Sequence, residues 1–236
     1  MLTHPATRLQ PSQSTGRRTI AWKGIAPWVL ADAGIEEING VARVPYRDVN
    51  GATTFSKAFA GSRSWYAPGG IELIPFGLER LPRSSWIAAR SALLVTEGES
   101  DALAVREHFF EGDAEILAWH SIGLPGSGTW RGCWKRWLAP FPIVYLLGDG
   151  DEAGRRMNGA VRRDVPWARP VRLPDGEDVR SILQRDSREG LMPYLEAADT
   201  DARLAAVLAL APDLATFERL LRETDPARLG TWAVTT

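Results

Sequence analysis

The pattern of hydrophobic and polar positions changes near residue 90 and predicts a parallel sheet beyond it. Between residues 91 and 185, short strand-like runs, of which 92–95 is apolar at every position, alternate with helix-like segments. Strands that are apolar throughout are typical of parallel sheets covered on both faces. The predicted strands are 92–95, 115–119, 143–147 and 170–173, and the predicted helices are 102–109 (with Ser100 and Asp101 as N-cap candidates), 130–138 and 153–164. This alternation predicts an α/β fold with helices flanking the sheet.

The segments on either side have other patterns. Residues 1–19 are rich in Pro, Ser, Thr and Arg without periodicity, which predicts a flexible lead-in. Residues 20–90 predict a small mixed α+β subdomain, in which a polar stretch ending in Asn50-Gly51 favours a hairpin. Its predicted elements are a helix at 26–33, strands at 41–46, 53–59 and 71–76, and a turn-rich stretch at 64–70. Residues 186–236 predict C-terminal helices at 190–198, 201–210 and 213–224.

Composition narrows the class of protein. The formal net charge is -1, so any contact with nucleic acid must come from local patches rather than from a basic chain. One cysteine excludes a disulfide framework and a cysteine-based zinc site built within this chain. No apolar run approaches the ~20 residues needed to span a bilayer, and the N-terminus does not resemble a signal sequence. We therefore expect a cytoplasmic protein without membrane contact.

Acidic residues follow the predicted strands where each strand ends. Glu97 follows strand 92–95, Asp149 and Asp151 follow strand 143–147, and the acidic stretch 175–178 follows strand 170–173. Ligands of open parallel sheets bind at the carboxyl ends of the strands, and carboxylate oxygens suit Mg²⁺. Any one of these residues could instead be only a helix N-cap. Taken together, the adjacent like charges favour a Mg²⁺ site, with Mn²⁺ as an alternative ion.

The acidic motifs resemble those of the TOPRIM family. Glu97-Gly98 followed by Asp101-Ala102 is similar to the first TOPRIM motif, and Asp149-Gly150-Asp151 with a trailing Ala153-Gly154 is similar to the second. The stretch Leu173-Pro174-Asp175-Gly176-Glu177-Asp178 resembles the segment that follows in bacterial primases. The resemblance covers about residues 91 to 185 and implies a TOPRIM-like sheet.

The resemblance also implies a role for each matching residue. Glu97, Asp149 and Asp151 would be catalytic and would bind the metal, and Asp178 would be a further metal ligand. Three residues would support the site: Gly98, Asp101 and Gly154. The chain departs from the DnaG pattern after Asp178, where Asp-Pro-Asp is common and this chain has Val179-Arg180.

Four stretches precede these motifs: Val44-Pro45-Tyr46-Arg47-Asp48-Val49-Asn50-Gly51, Ser56-Lys57, Trp65-Tyr66-Ala67-Pro68-Gly69-Gly70 and Pro75-Phe76-Gly77-Leu78. Together they resemble the part of phage and plasmid primases that precedes TOPRIM. In that family it supplies basic residues that hold template and nucleotide, and the matching residues here are Lys57, Arg63 and Arg47. The alternative is that these cations only solvate a hairpin face. The resemblance implies a Mg²⁺-dependent primase-like nucleotidyltransferase that makes short primers on single-stranded DNA from nucleoside triphosphates, in a phage, plasmid or mobile element.

Two alternatives stay open from the sequence. A Mg²⁺-dependent TOPRIM nuclease would use much the same carboxylates, and the chain could also be a non-catalytic nucleic-acid-binding subunit of a replication complex. Neither a zinc-binding module nor a P-loop is present in the sequence. We therefore expect a separate helicase or zinc-binding template-recognition subunit as a partner.

Overall fold

The computed structural model describes residues 22–67, 70–109 and 118–210, together with 213, 215, 216 and 219. The predicted lead-in 1–19 lies outside the described residues, as do the start of the predicted strand 115–119 and most of the predicted helix 213–224. The described chain forms two four-stranded sheets with six α-helices. The strands are β1 (Glu36–Ile38), β2 (Val41–Arg47), β3 (Thr53–Ala60), β4 (Arg63–Ala67), β5 (Ser91–Thr96), β6 (Ala118–Gly123), β7 (Ile143–Leu147) and β8 (Arg169–Pro170). The helices are α1 (Pro27–Asp32), α2 (Ser85–Ala88), α3 (Glu99–Phe109), α4 (Lys135–Leu138), α5 (Glu152–Asp164) and α6 (Val179–Leu210), with 3₁₀ turns at Leu78–Arg80 and Gly132–Trp134.

The second sheet confirms the predicted α/β class. Its order is β6-β5-β7-β8 and all its pairings are parallel. Strand β5 lies in the middle and is buried at every position, as its continuous apolar pattern predicts. Leu94 belongs to a core shared with α3 and α6, while Leu93 belongs to a core shared with α5 on the opposite face. Helices therefore cover both faces of the parallel sheet.

The first sheet is an antiparallel meander in the order β1-β2-β3-β4. The predicted hairpin is confirmed between β2 and β3, where the backbone N–H of Gly51 donates to the carbonyl of Asp48 over 2.9 Å. Two expectations for this region are wrong. The stretch 64–70 is not all turn, because β4 occupies Arg63–Ala67, and 71–76 is not a strand. Only Phe76 pairs there, and its partner is Gly123 at the end of β6 in the other sheet.

Several boundaries in the second half also differ from prediction. Helix 130–138 is replaced by a 3₁₀ turn and the single turn α4, and strand 170–173 is reduced to β8. The predicted helices 190–198 and 201–210 are both part of α6, which begins earlier, at Val179, and is interrupted at Ser187 with φ 57°. Helix α3 begins at Glu99, so Ser100 and Asp101 lie in its first turn rather than at its cap. Among the described helices, none is long and apolar enough to cross a membrane.

Candidate active site

The carboxyl ends of two neighbouring strands bring the first acidic residues together. Strands β5 and β7 pair in parallel with Thr96 opposite Leu147, so the residues that follow them leave the sheet side by side. The backbone N–H of Asp149 points at Glu97 Oε2 over 3.4 Å. Asp151 is the N-cap of α5, and its side chain accepts a hydrogen bond from the Gly154 N–H over 2.8 Å. The predicted trio is thus placed at one edge of the sheet.

Glycine at position 154 is required by close packing. A Cβ atom built there would lie 2.2 Å from the carbonyl oxygen of Asp149, well inside van der Waals contact. The first turn of α5 therefore rests directly on the backbone that carries Asp149. A Cβ at Gly98 would be less crowded, at 3.2 Å from Asp101 Oδ2. Both glycines lie where the resemblance expects supporting residues.

Two further carboxylates lie where α3 and α6 begin. Asp101 is buried, and its Oδ1 accepts a hydrogen bond from the backbone N–H of Arg180 over 3.2 Å. Asp178 caps α6, because its Oδ1 accepts the Ser181 N–H over 2.6 Å. Its other oxygen, Oδ2, accepts from the Arg180 guanidinium over 2.9 Å. Both oxygens of Asp178 are therefore already hydrogen-bonded within the protein.

The electrostatics of these carboxylates centre on Asp149. Burial, followed by the negative charges of Asp101, Glu97, Asp178 and Asp151, raises the pKa of Asp149 to about 7. The other carboxylates therefore lie near enough to Asp149 to oppose its ionisation.

The neighbouring acids respond differently because their partners differ. Burial raises the pKa of Glu97, and the backbone N–H of Asp149 and the Ser127 hydroxyl partly oppose this. Burial and the charge of Asp178 raise the pKa of Asp101 to about 6. Burial also acts to raise the pKa of Asp178, but hydrogen bonds from Ser181 and Arg180 outweigh it and hold that pKa below its usual value.

The residues present fit a divalent cation held with few protein ligands. Asp149 Oδ1 is buried and has no hydrogen-bond partner among the described residues, which leaves a carboxylate oxygen available for a cation. Within the described ranges, no three His, Cys, Asp or Glu side chains converge closely enough to form a complete metal cage. Mg²⁺ is commonly held by one or two carboxylates, with waters and substrate phosphates completing its shell. An open site with one or two ligands drawn from Glu97, Asp149 and Asp151 therefore suits these residues better than a closed one.

The predicted basic residues have three different environments. Lys57 on β3 lies mostly buried, with its ammonium 2.8 Å from Glu99 Oε1 and 3.0 Å from the Pro125 carbonyl oxygen. Arg63 begins β4 and is exposed. Arg47 ends β2 and donates to the Ala33 carbonyl over 2.8 Å, so it joins β2 to the end of α1. Only Lys57 of the three is placed beside an acidic residue of α3.

Sequence reasoning missed a buried network that joins the first sheet to α3. Glu99 accepts hydrogen bonds from the Tyr46 hydroxyl and from Lys57, and it is 3% exposed. Lys23 lies on the same side, with its ammonium 3.3 Å from the Ser100 hydroxyl. No sequence signal marks Glu99 or Lys23, because their partners are far away along the chain. Arg180 is also part of this site. The one feature of the sequence that points to it is the departure from Asp-Pro-Asp after Asp178.

The fold is that of primase catalytic cores. The primase fragment of the bacteriophage T7 primase-helicase protein superposes with a TM-score of 0.59 and 21% identity, covering 75% of this chain and 74% of that one. The DnaG primase catalytic domain bound to ssDNA superposes with a TM-score of 0.54 and 18% identity, covering 87% of this chain and 69% of that one.

A sequence relative comes from a phage. The gene 57 protein of Mycobacterium phage D29 is 30% identical over 100 residues, which are 42% of this chain and 60% of that protein. The match therefore spans less than two thirds of the relative. No family model matches the chain.

Proposed function

We propose that this chain is a divalent-metal-dependent, primase-like nucleotidyltransferase that synthesises short primers on single-stranded DNA. The observation that carries the proposal is the placement of Glu97 and Asp149 at the ends of adjacent parallel strands, on the fold of primase catalytic cores. The relative from a phage supports an origin in a phage or another mobile element. One of the similar structures is a DnaG catalytic domain with bound ssDNA, which supports single-stranded DNA as the template.

The acidic residues have distinct roles in this proposal. Asp149 and Asp151 would hold Mg²⁺, or Mn²⁺ in its place. The ion, when bound, supplies positive charge that neutralises the triphosphate and lowers the pKa of the attacking 3′-hydroxyl. Glu97 lies beside Asp149 and has a raised pKa, so it is suited to orient the hydroxyl or to accept its proton. Asp101 and Asp178 complete the negative field around Asp149.

Cations for the nucleotide and template would come from the first sheet. Lys57 already lies near the acidic site, and a phosphate could take over part of its contact with Glu99 and Pro125. Arg63 is exposed on the same sheet and is suited to contact the template backbone. Arg47 is the weakest of the three candidates, because its guanidinium is already bonded to Ala33. A separate helicase or zinc-binding subunit remains the partner we expect.

Primer synthesis and strand cleavage can be separated in one assay. The protein is incubated with single-stranded DNA, labelled nucleoside triphosphates and Mg²⁺, and the products are sized on a denaturing gel. Labelled oligonucleotides that require both template and triphosphates would support the proposal, whereas fragments shorter than the input would support a nuclease instead.

Two substitutions locate the activity. Asp149→Asn should abolish synthesis while the protein stays folded, because it removes the ligand charge at the centre of the acidic group. Asp175→Asn is the matched control, since the Asp175 side chain is fully exposed and lies 3.9 Å from Arg155. Undiminished synthesis by the Asp149 variant would overturn the assignment of this site.

A further inference from the structure

Arg180 lies among the acidic residues at the start of α6. Its backbone N–H donates to Asp101 Oδ1 over 3.2 Å, and its guanidinium donates to Asp178 Oδ2 over 2.9 Å. The Nε atom of the same guanidinium is buried and has no hydrogen-bond partner in the described part of the chain. One residue thus contacts two of the carboxylates that surround Asp149.

A second cation lies close to Arg180. The Lys23 ammonium lies 3.3 Å from the Ser100 hydroxyl, next in sequence to the Asp101 that Arg180 contacts. Burial lowers the pKa of Lys23, and the positive charge of Arg180 lowers it further. The Gln184 side-chain amide donates to the Lys23 carbonyl over 2.8 Å, so the backbone of Lys23 is attached to α6. The charges of Lys23 and Arg180 both favour the ionised form of Asp101. The protein therefore supplies its own positive charge on this side of the site.

A divalent ion between Asp101 and Asp178 would meet two obstacles. Both oxygens of Asp178 are used, one by the cap of α6 and one by the guanidinium. An ion there would also lie next to a permanently charged guanidinium, whose pKa is too high for it to lose its proton. Asp149 has neither obstacle, because its Oδ1 is buried without a hydrogen-bond partner among the described residues. Asp151 uses only one of its oxygens, Oδ1, for the cap of α5.

We propose that Arg180 is a fixed cation that takes the place of a second metal ion, so that the free protein binds one divalent ion, at Asp149 and Asp151. The inference rests on the proposed function, which requires a bound divalent ion. It adds that only one ion binds and that Arg180 is the reason. Arg180 acts as a positioning residue in this scheme. Its guanidinium offsets the charge of Asp178, its backbone N–H donates to Asp101, and, unlike a bound ion, it cannot dissociate from the site.

The number of bound ions tests this inference without any measurement of synthesis. The full chain, free of nucleic acid, is titrated with Mn²⁺, and the free Mn²⁺ is followed by electron paramagnetic resonance. The wild-type chain should bind one Mn²⁺. Arg180→Gln should bind two, because Asp101 and Asp178 lose their fixed cation, and Arg180→Lys should return the count to one.

The control is Arg185→Gln. Arg185 lies further along α6, is half-exposed, and pairs with Glu177 and Asp186 rather than with the central carboxylates. This variant should bind one ion, as the wild type does.

The possible failures are distinct. Two ions in the wild-type chain, one of them lost in Asp178→Asn, would overturn the role of Arg180 and leave the proposed function standing. The role of Arg180 would also be overturned if the Arg180→Gln protein, with the melting temperature of the wild type, bound a single ion. No bound ion in the wild-type chain, at millimolar Mn²⁺, would count against the metal site and so against both proposals.

Discussion

Replacing Asp149 with asparagine should stabilise the metal-free protein at high pH while it abolishes activity. In the folded chain the pKa of Asp149 is raised from 3.8 to about 7, mainly by burial and then by four neighbouring carboxylates. Ionised Asp149 is therefore a source of instability when no cation is bound. Asparagine has nearly the same shape and carries no charge, so it removes this penalty.

The expected size follows from the pKa shift. A shift of about three pH units corresponds to ~4 kcal/mol at 1.36 kcal/mol per unit, as an upper bound. Asp149 is only half-buried, so solvent screening reduces the effect, and we expect about 1–2 kcal/mol. Each kcal/mol is a substantial part of the free energy of unfolding of a domain.

The sign depends on which state holds the proton. Between pH 4 and pH 7 the folded chain keeps Asp149 protonated while the unfolded chain has lost that proton, so stability falls as the pH rises through this window. The Asp149→Asn variant lacks this dependence, because its amide does not titrate. The difference in unfolding free energy between variant and wild type should therefore be near zero at pH 4, grow up to pH 7, and level off above it.

Urea unfolding in EDTA at pH 4, 6 and 8, followed by circular dichroism, measures the difference. Asp175→Asn is the control, since its fully exposed carboxylate should give no pH-dependent gain. Adding Mg²⁺ at pH 8 should stabilise the wild type more than the Asp149 variant, because the ion relieves the same repulsion. An Asp149 variant that is less stable than the wild type at pH 8, or a difference independent of pH, would refute the reasoning.

Three other substitutions test individual contacts. Gly154→Ala should lower the unfolding free energy by about 1–3 kcal/mol and weaken Mn²⁺ binding, because the new methyl group meets the Asp149 backbone. An unchanged melting temperature would contradict the close packing of residue 154 on that backbone. Lys57→Met should lower the unfolding free energy in urea by about 3–5 kcal/mol, because Glu99 stays buried without its cation. Adding Glu99→Gln should recover most of the loss. A double variant as unstable as the single one would refute the pairing. Asp178→Ala should lower the unfolding free energy by about 1 kcal/mol, because the N-cap of α6 is lost, and Asp178→Ser should restore the cap. Equal melting temperatures for these two variants would exclude the capping role.

The parts of the site predicted from sequence are those that depend on local pattern. The fully apolar stretch before Glu97 identified a buried parallel strand, and the same pattern before Asp149 identified another. Since the carboxyl ends of parallel strands lie at one edge of a sheet, the pattern predicts both carboxylates at that edge. The structure adds that the two strands are adjacent. The supporting role of Gly154 came from the resemblance, and the structure supplies its steric reason.

The parts that could not be predicted depend on contacts between distant segments. Lys57 lies on a strand of the first sheet and Glu99 on a helix beside the second, and neither has a neighbour in sequence that marks it as buried. The mainly apolar stretch 71–76 predicts a strand, because a segment that passes from one sheet to the other through the core has the same composition as a strand. Its backbone instead leaves the first sheet, and only Phe76 pairs, with Gly123. The direction of the Arg180 side chain likewise depends on where α6 begins.

The pairing of Phe76 with Gly123 has a consequence for any attempt to divide the chain. The two residues exchange backbone hydrogen bonds of 2.8 and 3.1 Å, and Phe76 belongs to the same core as Tyr46 of the first sheet and Leu94 of the second. The two sheets therefore share backbone hydrogen bonds and a hydrophobic core across the border near residue 90, where the hydrophobic pattern changes. A transplant of the parallel sheet alone, from 91 onward, would carry an exposed apolar face into solvent.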